Sequence, residues 1–176
     1  LALLEDSKGT FFSGEEIART LQVSRAAVWK AVNALREDGY TIDAATNKGY
    51  RLSPDSDILS PQGIRRFLKP EYRDLDLTVL PTAPSTNALV REKANQGRPE
   101  GCVIIACEQT AGRGRYGRQF FSPVDSGVYL SLLLRPTAYS PQQATCLTAA
   151  AAAAMCQAIE AVTGQQPGIK WVNDIF

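Results

Sequence analysis

The sequence predicts an α+β chain in two parts, a winged helix-turn-helix over residues 1–57 and a domain mixing strands with helices over residues 58–176. Three observations predict it. Two short amphipathic helices, each opened by a serine, flank a tight turn and lead into a two-stranded hairpin with a basic tip. The polar connector Ser53-Pro54-Asp55-Ser56-Asp57 then interrupts the pattern. Beyond it, strand-like apolar runs alternate with helical segments.

Composition bounds the rest. A chain of 176 residues, 44% hydrophobic and 21% charged, is of the soluble globular kind. No run of strong hydrophobes is long enough to suggest a membrane span, no secretory segment opens the sequence, and a cytoplasmic location is expected. The chain starts at Leu1 without Met and stops at Phe176 in an apolar stretch, so further sequence is expected at both ends. Cys102, Cys107, Cys146 and Cys156 have no C-x-x-C spacing and there is no histidine, which removes the usual zinc and triad partners; they read as buried reduced thiols. The net charge of +1 divides into seven Lys/Arg against nine Asp/Glu in residues 1–57 and twelve against nine afterwards. A DNA-binding module with net charge −2 cannot rely on bulk attraction to phosphate. Locally placed groups and dimerisation must supply its affinity.

In the first part, Leu1 to Leu4 begin a helix that the polar residues Glu5 to Gly9 end. Ser13-Gly14-Glu15-Glu16 is a capping box for a helix to Leu21, and Ser24 caps a second helix from Arg25 to about Asp38, stopped by Gly39. Val28, Val32 and Leu35 share its inner face; Ala26, Trp29, Lys30, Asn33 and Glu37 lie opposite, with Arg25 beside them. The segments 40–44 and 50–52 pair as the wing around Asn47-Lys48-Gly49. The second helix would enter a major groove, with Arg25, Lys30 and Asn33 near base edges or phosphates and Lys48 on the flanking backbone. A winged helix used only for protein contacts is the alternative, and Trp29 could serve a dimer or interdomain contact.

In the second part, Ser60-Pro61 opens a helix carrying Ile64, Phe67 and Leu68, with Arg65 and Arg66 on its solvated side. Leu75 to Leu80 read as a strand. Ser85-Thr86-Asn87 follow at a strand-to-helix turn, where Ser85 can cap the helix and all three can hydrogen-bond a neutral polar ligand. Cys102 to Cys107 read as a buried strand and Val128 to Leu134 as another. Between them runs Glu108-Gln109-Thr110-Ala111-Gly112-Arg113-Gly114-Arg115-Tyr116-Gly117-Arg118. Alternating glycines bring backbone N–H groups near a ligand, and the arginines supply planar forks for carboxylate or phosphate oxygens. The spacing suits a loop closing over an anion; it also suits a flexible RNA-binding tail or a solvated loop. Residues 140–162 form a helix with an Ala-rich middle, read as core packed on a sheet, and Gly164 ends it. Lys170, Trp171, Asn173 and Asp174 fall together in a last strand or turn.

Taken together, these residues resemble the bifunctional biotin–protein ligases, the biotin operon repressors. The resemblance rests on Ser24-Arg25-Ala26-Ala27, Lys48-Gly49-Tyr50, Ser85-Thr86-Asn87, Gln109 with Ala111-Gly112-Arg113-Gly114-Arg115 and Gly117-Arg118, Phe121-Ser122-Pro123, and Lys170-Trp171 with Asn173-Asp174. It implies that a class II synthetase-like catalytic domain with a mixed sheet follows the winged helix, truncated before its end and before a small C-terminal β domain. It implies the formation of biotinyl-AMP from biotin and Mg·ATP, then transfer of biotin to a lysine of a carboxylase's biotin carboxyl carrier domain. Ser85, Thr86, Asn87 and Gln109 would bind the bicyclic head of biotin, and Arg113, Gly114 and Arg115 its carboxylate and the phosphate. Arg118, Asn173 and Asp174 would shape the nucleotide side, with Arg115 and Lys170 in catalytic roles. The only metal implied is Mg2+ carried by ATP. Ser24, Arg25, Ala26, Trp29, Lys30, Asn33 and Lys48 would face operator DNA, in a homodimer promoted by ligand and away from any membrane. The family usually has proline at the position of Val172 and tryptophan at that of Phe120, and both replacements keep apolar bulk. Its active-site lysine lies beyond Phe176. A lipoate or octanoate ligase, and a ligand-responsive regulator without ligase activity, are the competing readings.

Overall fold

A computed structural model describes residues 1–176 except 115, 116, 125, 138, 139, 141 and 142, and for 144 and 145 the backbone alone. The chain forms two compact units, Leu1–Leu134 and Arg135–Phe176.

The first unit opens with helices α1 (Ala2–Asp6), α2 (Gly14–Leu21) and α3 (Arg25–Glu37) and the hairpin of β1 (Ile42–Ala45) and β2 (Gly49–Leu52). Ser13 accepts the backbone N–H of Glu16 and Ser24 that of Ala27, so both expected caps are present. Leu4, Ile17, Ala18, Val28, Val32, Ile42 and Leu52 form the core, with Leu35 packed against it. The amphipathic pattern thus dictates which helix faces meet. The hairpin has a third partner: Phe12 exchanges both backbone hydrogen bonds with Tyr50, at 2.9 Å each. Gly49 faces that crossing at φ +94, where a Cβ would lie 2.0 Å from the Phe12 carbonyl oxygen.

Glu5, expected in the polar turn that ends the first helix, instead lies within α1 and is buried at 5% exposure. Its carboxylate accepts the Ser60 hydroxyl at 3.1 Å. Ser60 also caps α4 (Pro61–Arg65) by accepting the Gly63 N–H. This helix is shorter than expected. Phe67 lies beyond its end, 83% exposed, and Arg65, half-buried, donates to the carbonyls of Arg73 and Leu75.

Strands β3 (Asp76–Leu80), β4 (Cys102–Ala106) and β5 (Tyr129–Leu132) form a mixed sheet in which β4 is central, parallel to β3 and antiparallel to β5. Every residue of β4 is buried, as its uninterrupted apolar run predicts. One face, with Cys102 and Ile104, packs against Val90 and Leu89 of α5 (Thr86–Asn95). The other, with Val103 and Ile105, packs against Leu59 and Ile64. β5 is not the core strand expected, since Leu130 and Leu132 are exposed; among the described residues only β4 pairs with it.

The second unit holds α6 (Ala144–Thr163) and the hairpin of β6 (Ile169–Lys170) and β7 (Asp174–Ile175), on which α6 packs. Gly164 ends α6 in the left-handed region. The Ala-rich middle is not core: within Ala149 to Ala154 only Ala152 is buried. By length and composition Cys146–Thr163, at mean hydropathy 1.4, also meets the minimum for a membrane span, which corrects the opposite expectation from the sequence. That apolarity comes largely from alanine, and the stretch carries Glu160. Cys102 is the one fully buried cysteine, Cys107 and Cys156 are half-buried and Cys146 is exposed; all four are free thiols.

Candidate ligand site

The turn from β3 into α5 and the loop leaving β4 are adjacent because β3 and β4 are parallel neighbours, so both segments emerge from the same end of the sheet. Ala83 donates to the Glu108 carbonyl, Thr110 to that of Ala83 and Ala111 to that of Pro84, at 2.8 to 3.0 Å. The turn and the loop base therefore run side by side as a short parallel ladder. Ser85 caps α5 by accepting the Ala88 N–H, and both Ser85 and Thr86 are buried.

Gln109 joins the two segments. Its Oε1 accepts the Thr86 N–H at 2.8 Å and the Thr86 hydroxyl at 3.1 Å, while its Nε2 donates to Ser122 Oγ at 3.1 Å. Thr86 Oγ1 also lies 2.9 Å from Ser131 Oγ on β5. A backbone N–H in the first turn of a helix has no partner within the helix, and the Gln109 side chain supplies one.

The loop then doubles back. Phe120 donates to the Gly112 carbonyl and Gly114 to that of Arg118, and Gln109 donates its backbone N–H to Ser122. Gly112 is buried in this crossing, where a Cβ would stand 2.5 Å from the Phe120 carbonyl oxygen and 2.8 Å from Ser122 Oγ. The close approach expected of this glycine toward a ligand is thus made toward the loop's own returning strand. Arg115 and Tyr116 lie outside the described residues.

Between α5 and the loop lies an open cleft of about 670 Å³. Ser85 and Asn87 line one side with Arg91 and Glu92, and Arg113, Gly114 and Gly117 line the other. Thr86 and Gln109 stand behind the wall instead of lining it, and Arg118 is exposed beyond it. Arg91 escaped the sequence reading; its signal was the spacing Asn87, Arg91, Asn95, which puts all three on one helix face. Cys102, directly under α5, has its thiol pKa pushed up by burial and then by the nearby Asp76 carboxylate, which keeps it protonated and unreactive.

In the second unit, Lys170 and Asp174 are opposite each other across the β6–β7 pair, and Asn173 donates to the Asp174 carboxylate at 2.9 Å. All three are exposed. The hairpin does bring the sequence-predicted Lys170, Asn173 and Asp174 together.

A second cleft, also about 670 Å³, separates α3 from the wing and is lined by Arg25, Ala26 and Trp29 on one side and by residues 44–47 on the other. Ser24, Lys30 and Lys48 are exposed near it and Asn33 is half-buried. Arg51 sits 4.7 Å and Lys48 6.0 Å from the centre of the Phe11 ring, a contact that ties the wing's cations to the α1–α2 connection.

Comparison with known proteins agrees with this architecture. Residues 1–51 match the model of an HTH domain, and residues 79–176 match that of the biotin/lipoate A/B protein ligase family. The chain is 42% identical over its whole length to the bifunctional ligase/repressor BirA of Bacillus subtilis (strain 168), covering 54% of it. It is 32% identical to the protein of the same name from Escherichia coli (strain K12), covering 52%. The chain therefore spans about half the length of these curated relatives. Among solved structures, a biotin protein ligase from Leishmania major in complex with biotinyl-5-AMP superposes on 57% of the chain and 47% of its own, with a TM-score of 0.50 at 24% identity, a likeness of fold. Because the ligase model covers more than half of the sequence and holds both the Gln109-tied turn and the glycine and arginine loop, this chain belongs to the biotin/lipoate A/B protein ligase family.

Proposed function

We propose that the protein of which this chain is a part is an ATP-dependent biotin–protein ligase that also represses transcription in response to biotin. The observation that carries the reading is one cleft that combines the neutral hydrogen-bonding groups Ser85 and Asn87 with two cations, Arg91 on the same wall and Arg113 on the opposite one. Such a site suits a ligand with a neutral polar head and an anionic tail. Directional hydrogen bonds to the head favour biotin over the apolar ring of a lipoyl group. Similarity to two proteins called bifunctional ligase/repressor BirA supports the same choice.

In this reading Ser85 and Asn87 bind the bicyclic head, with Thr86 and Gln109 holding them in place. Arg113, Gly114 and Arg115 take the carboxylate and the developing phosphate charge, and Arg118, Lys170, Asn173 and Asp174 serve the nucleotide side. The biotin carboxylate attacks the α-phosphorus of ATP and pyrophosphate leaves; the acceptor lysine then attacks the mixed anhydride and AMP leaves. Arginine forks stabilise charge in the first step, and a closed loop keeps water from the anhydride. Among the described residues Glu92 is the one carboxylate lining the cleft, together with Arg91 and Arg113, a poor donor set for a protein-held divalent ion. Mg2+ would instead arrive on the phosphates. The winged helix would bind operator DNA as part of a ligand-promoted homodimer in the cytoplasm, and residues 58–176 would be the first portion of the catalytic domain.

The test is ATP-dependent transfer of biotin by the full-length protein to a purified biotin carboxyl carrier domain, with lipoate offered in parallel. Transfer of lipoate in place of biotin would reassign the substrate. Ligand binding without transfer would favour a regulator with no ligase activity.

A further inference from the structure

The hydrogen-bond polarity around Ser122 assigns this residue a role in the site that its distance from the cleft conceals. Ser122 is 3% exposed and does not line the cleft. Its hydroxyl carries one hydrogen, which goes to the Phe120 carbonyl oxygen at 3.2 Å. Toward Gln109 it can therefore only accept, and Gln109 must turn its Nε2 to Ser122, at 3.1 Å. The opposite end of the same carboxamide, Oε1, is then fixed toward the Thr86 N–H and hydroxyl. A reversed carboxamide would aim an NH2 at the Thr86 backbone N–H and leave that N–H, on a residue 3% exposed, without its acceptor.

We infer that Ser122 is a positioning residue of the ligand cleft: it sets the orientation of Gln109, and through Thr86 it holds the first turn of α5 that presents Ser85 and Asn87. Ser122 therefore acts on ligand affinity without touching ligand. The inference rests on the reading of the cleft as the biotin site, and its test separates the two.

In the full-length protein, Ser122→Ala removes the acceptor and leaves the Phe120 carbonyl and Gln109 Nε2 without this partner. In biotin-dependent ATP–pyrophosphate exchange, the expected result is a rise of about five- to tenfold in KM for biotin, the scale of one lost hydrogen bond. The KM for ATP and kcat at saturating biotin should stay within about twofold. Because Ser122 acts through Gln109, adding Ser122→Ala to Gln109→Ala should raise the biotin KM no further. An equal rise in both backgrounds, or an unchanged biotin KM in the single variant, overturns the role. A second measurement needs neither activity nor a folded variant. In unmodified full-length protein labelled with 15N at glutamine, one Gln109 side-chain N–H should be protected from solvent exchange without ligand. Rapid exchange of both its hydrogens overturns the inference. Protection in a protein that fails to run biotin-dependent exchange overturns the biotin reading and leaves the positioning of Gln109 standing.

Discussion

The hydroxyl of Ser60 donates to the carboxylate of Glu5 at 3.1 Å, and both groups are buried, 2% and 5% exposed. Glu5 closes the first helix of the winged module, whereas Ser60 opens the helix that packs on the central sheet. Tyr40 joins the same cluster: burial pushes its hydroxyl pKa up, opposed in part by its hydrogen bond to Ser60. Lys8 adds a bond to the Ser56 carbonyl nearby. A polar node of this kind holds two elements in one relative position, because separating them would strand a buried carboxylate.

Replacement of Ser60 by alanine is therefore expected to destabilise the protein by about 1–3 kcal/mol, the cost of leaving a buried polar group without its partner. The loss of the α4 cap falls within the same change. Urea denaturation of full-length protein and variant checks it, and a difference below about 0.5 kcal/mol would show that water replaces the hydroxyl at no cost.

Gly49 makes the second prediction. Its φ of +94 and the 2.0 Å separation between a built Cβ and the Phe12 carbonyl oxygen leave no room for a side chain without breaking the Phe12–Tyr50 pair. Gly49→Ala should cost about 2 kcal/mol or more and loosen the wing. Amide hydrogen exchange at Phe12 and Tyr50 is the measurement, and unchanged protection would mean that the wing adapts.

These two sites differ in how far the sequence announces them. The serine caps at positions 13, 24, 60 and 85, and the wing turn at Asn47 and Gly49, are local signals spanning three or four residues, and all were legible. The burial of β4 was legible too, since an apolar run in a strand fills both faces of a sheet. What escaped was non-local. Glu5 reads as a turn residue until Ser60, fifty-five positions later, covers it. Gly112 reads as a ligand-facing glycine until Phe120 returns across it, and Arg91 enters the cleft only when α5 and the loop are placed side by side. Pairing of Phe12 with Tyr50 follows from no motif, because it depends on where the chain between α1 and α2 crosses the wing. Exposure of α6 and β5 was misread because apolar composition states that a face wants cover, not which segment covers it.

The arginines of the glycine-rich loop and of α5 make the third prediction. Arg115→Ala should speed dissociation of biotinyl-AMP from the full-length protein by tenfold or more, the order of one charge-assisted hydrogen bond lost. A loop arginine contributes little to the core, so thermal stability should change little. Arg91→Ala, on the rigid helix wall, should also weaken retention, because Arg91 lines the same cleft as Arg113. Stopped-flow release of labelled adenylate measures both, and parental rates in both variants would remove the arginines from the anion site.

The last prediction concerns DNA. Residues 1–57 carry net charge −2, and Glu15 lines the same cleft between α3 and the wing as Arg25. One copy should therefore bind weakly, since the counterion-release term that usually carries affinity is small. Two copies on a symmetric site would double the local contacts of Arg25, Lys30 and Lys48 and supply the missing free energy. Ligand can promote that state only by binding the dimer better than the monomer, by linkage. Closure of the glycine and arginine loop on the adenylate is one way, if the ordering that assembly would otherwise require is completed in advance by ligand. The expected outcome is operator affinity at fixed salt that rises by on the order of tenfold or more with biotin plus ATP, in step with a shift to dimer in sedimentation. An Arg115→Ala variant that loses adenylate should lose both responses together. If affinity rises with ligand while the protein stays monomeric, the coupling runs through the winged module itself and the Glu5–Ser60 node becomes its natural route. If neither changes, ligand state and DNA binding are independent in this protein, whatever its ligase activity.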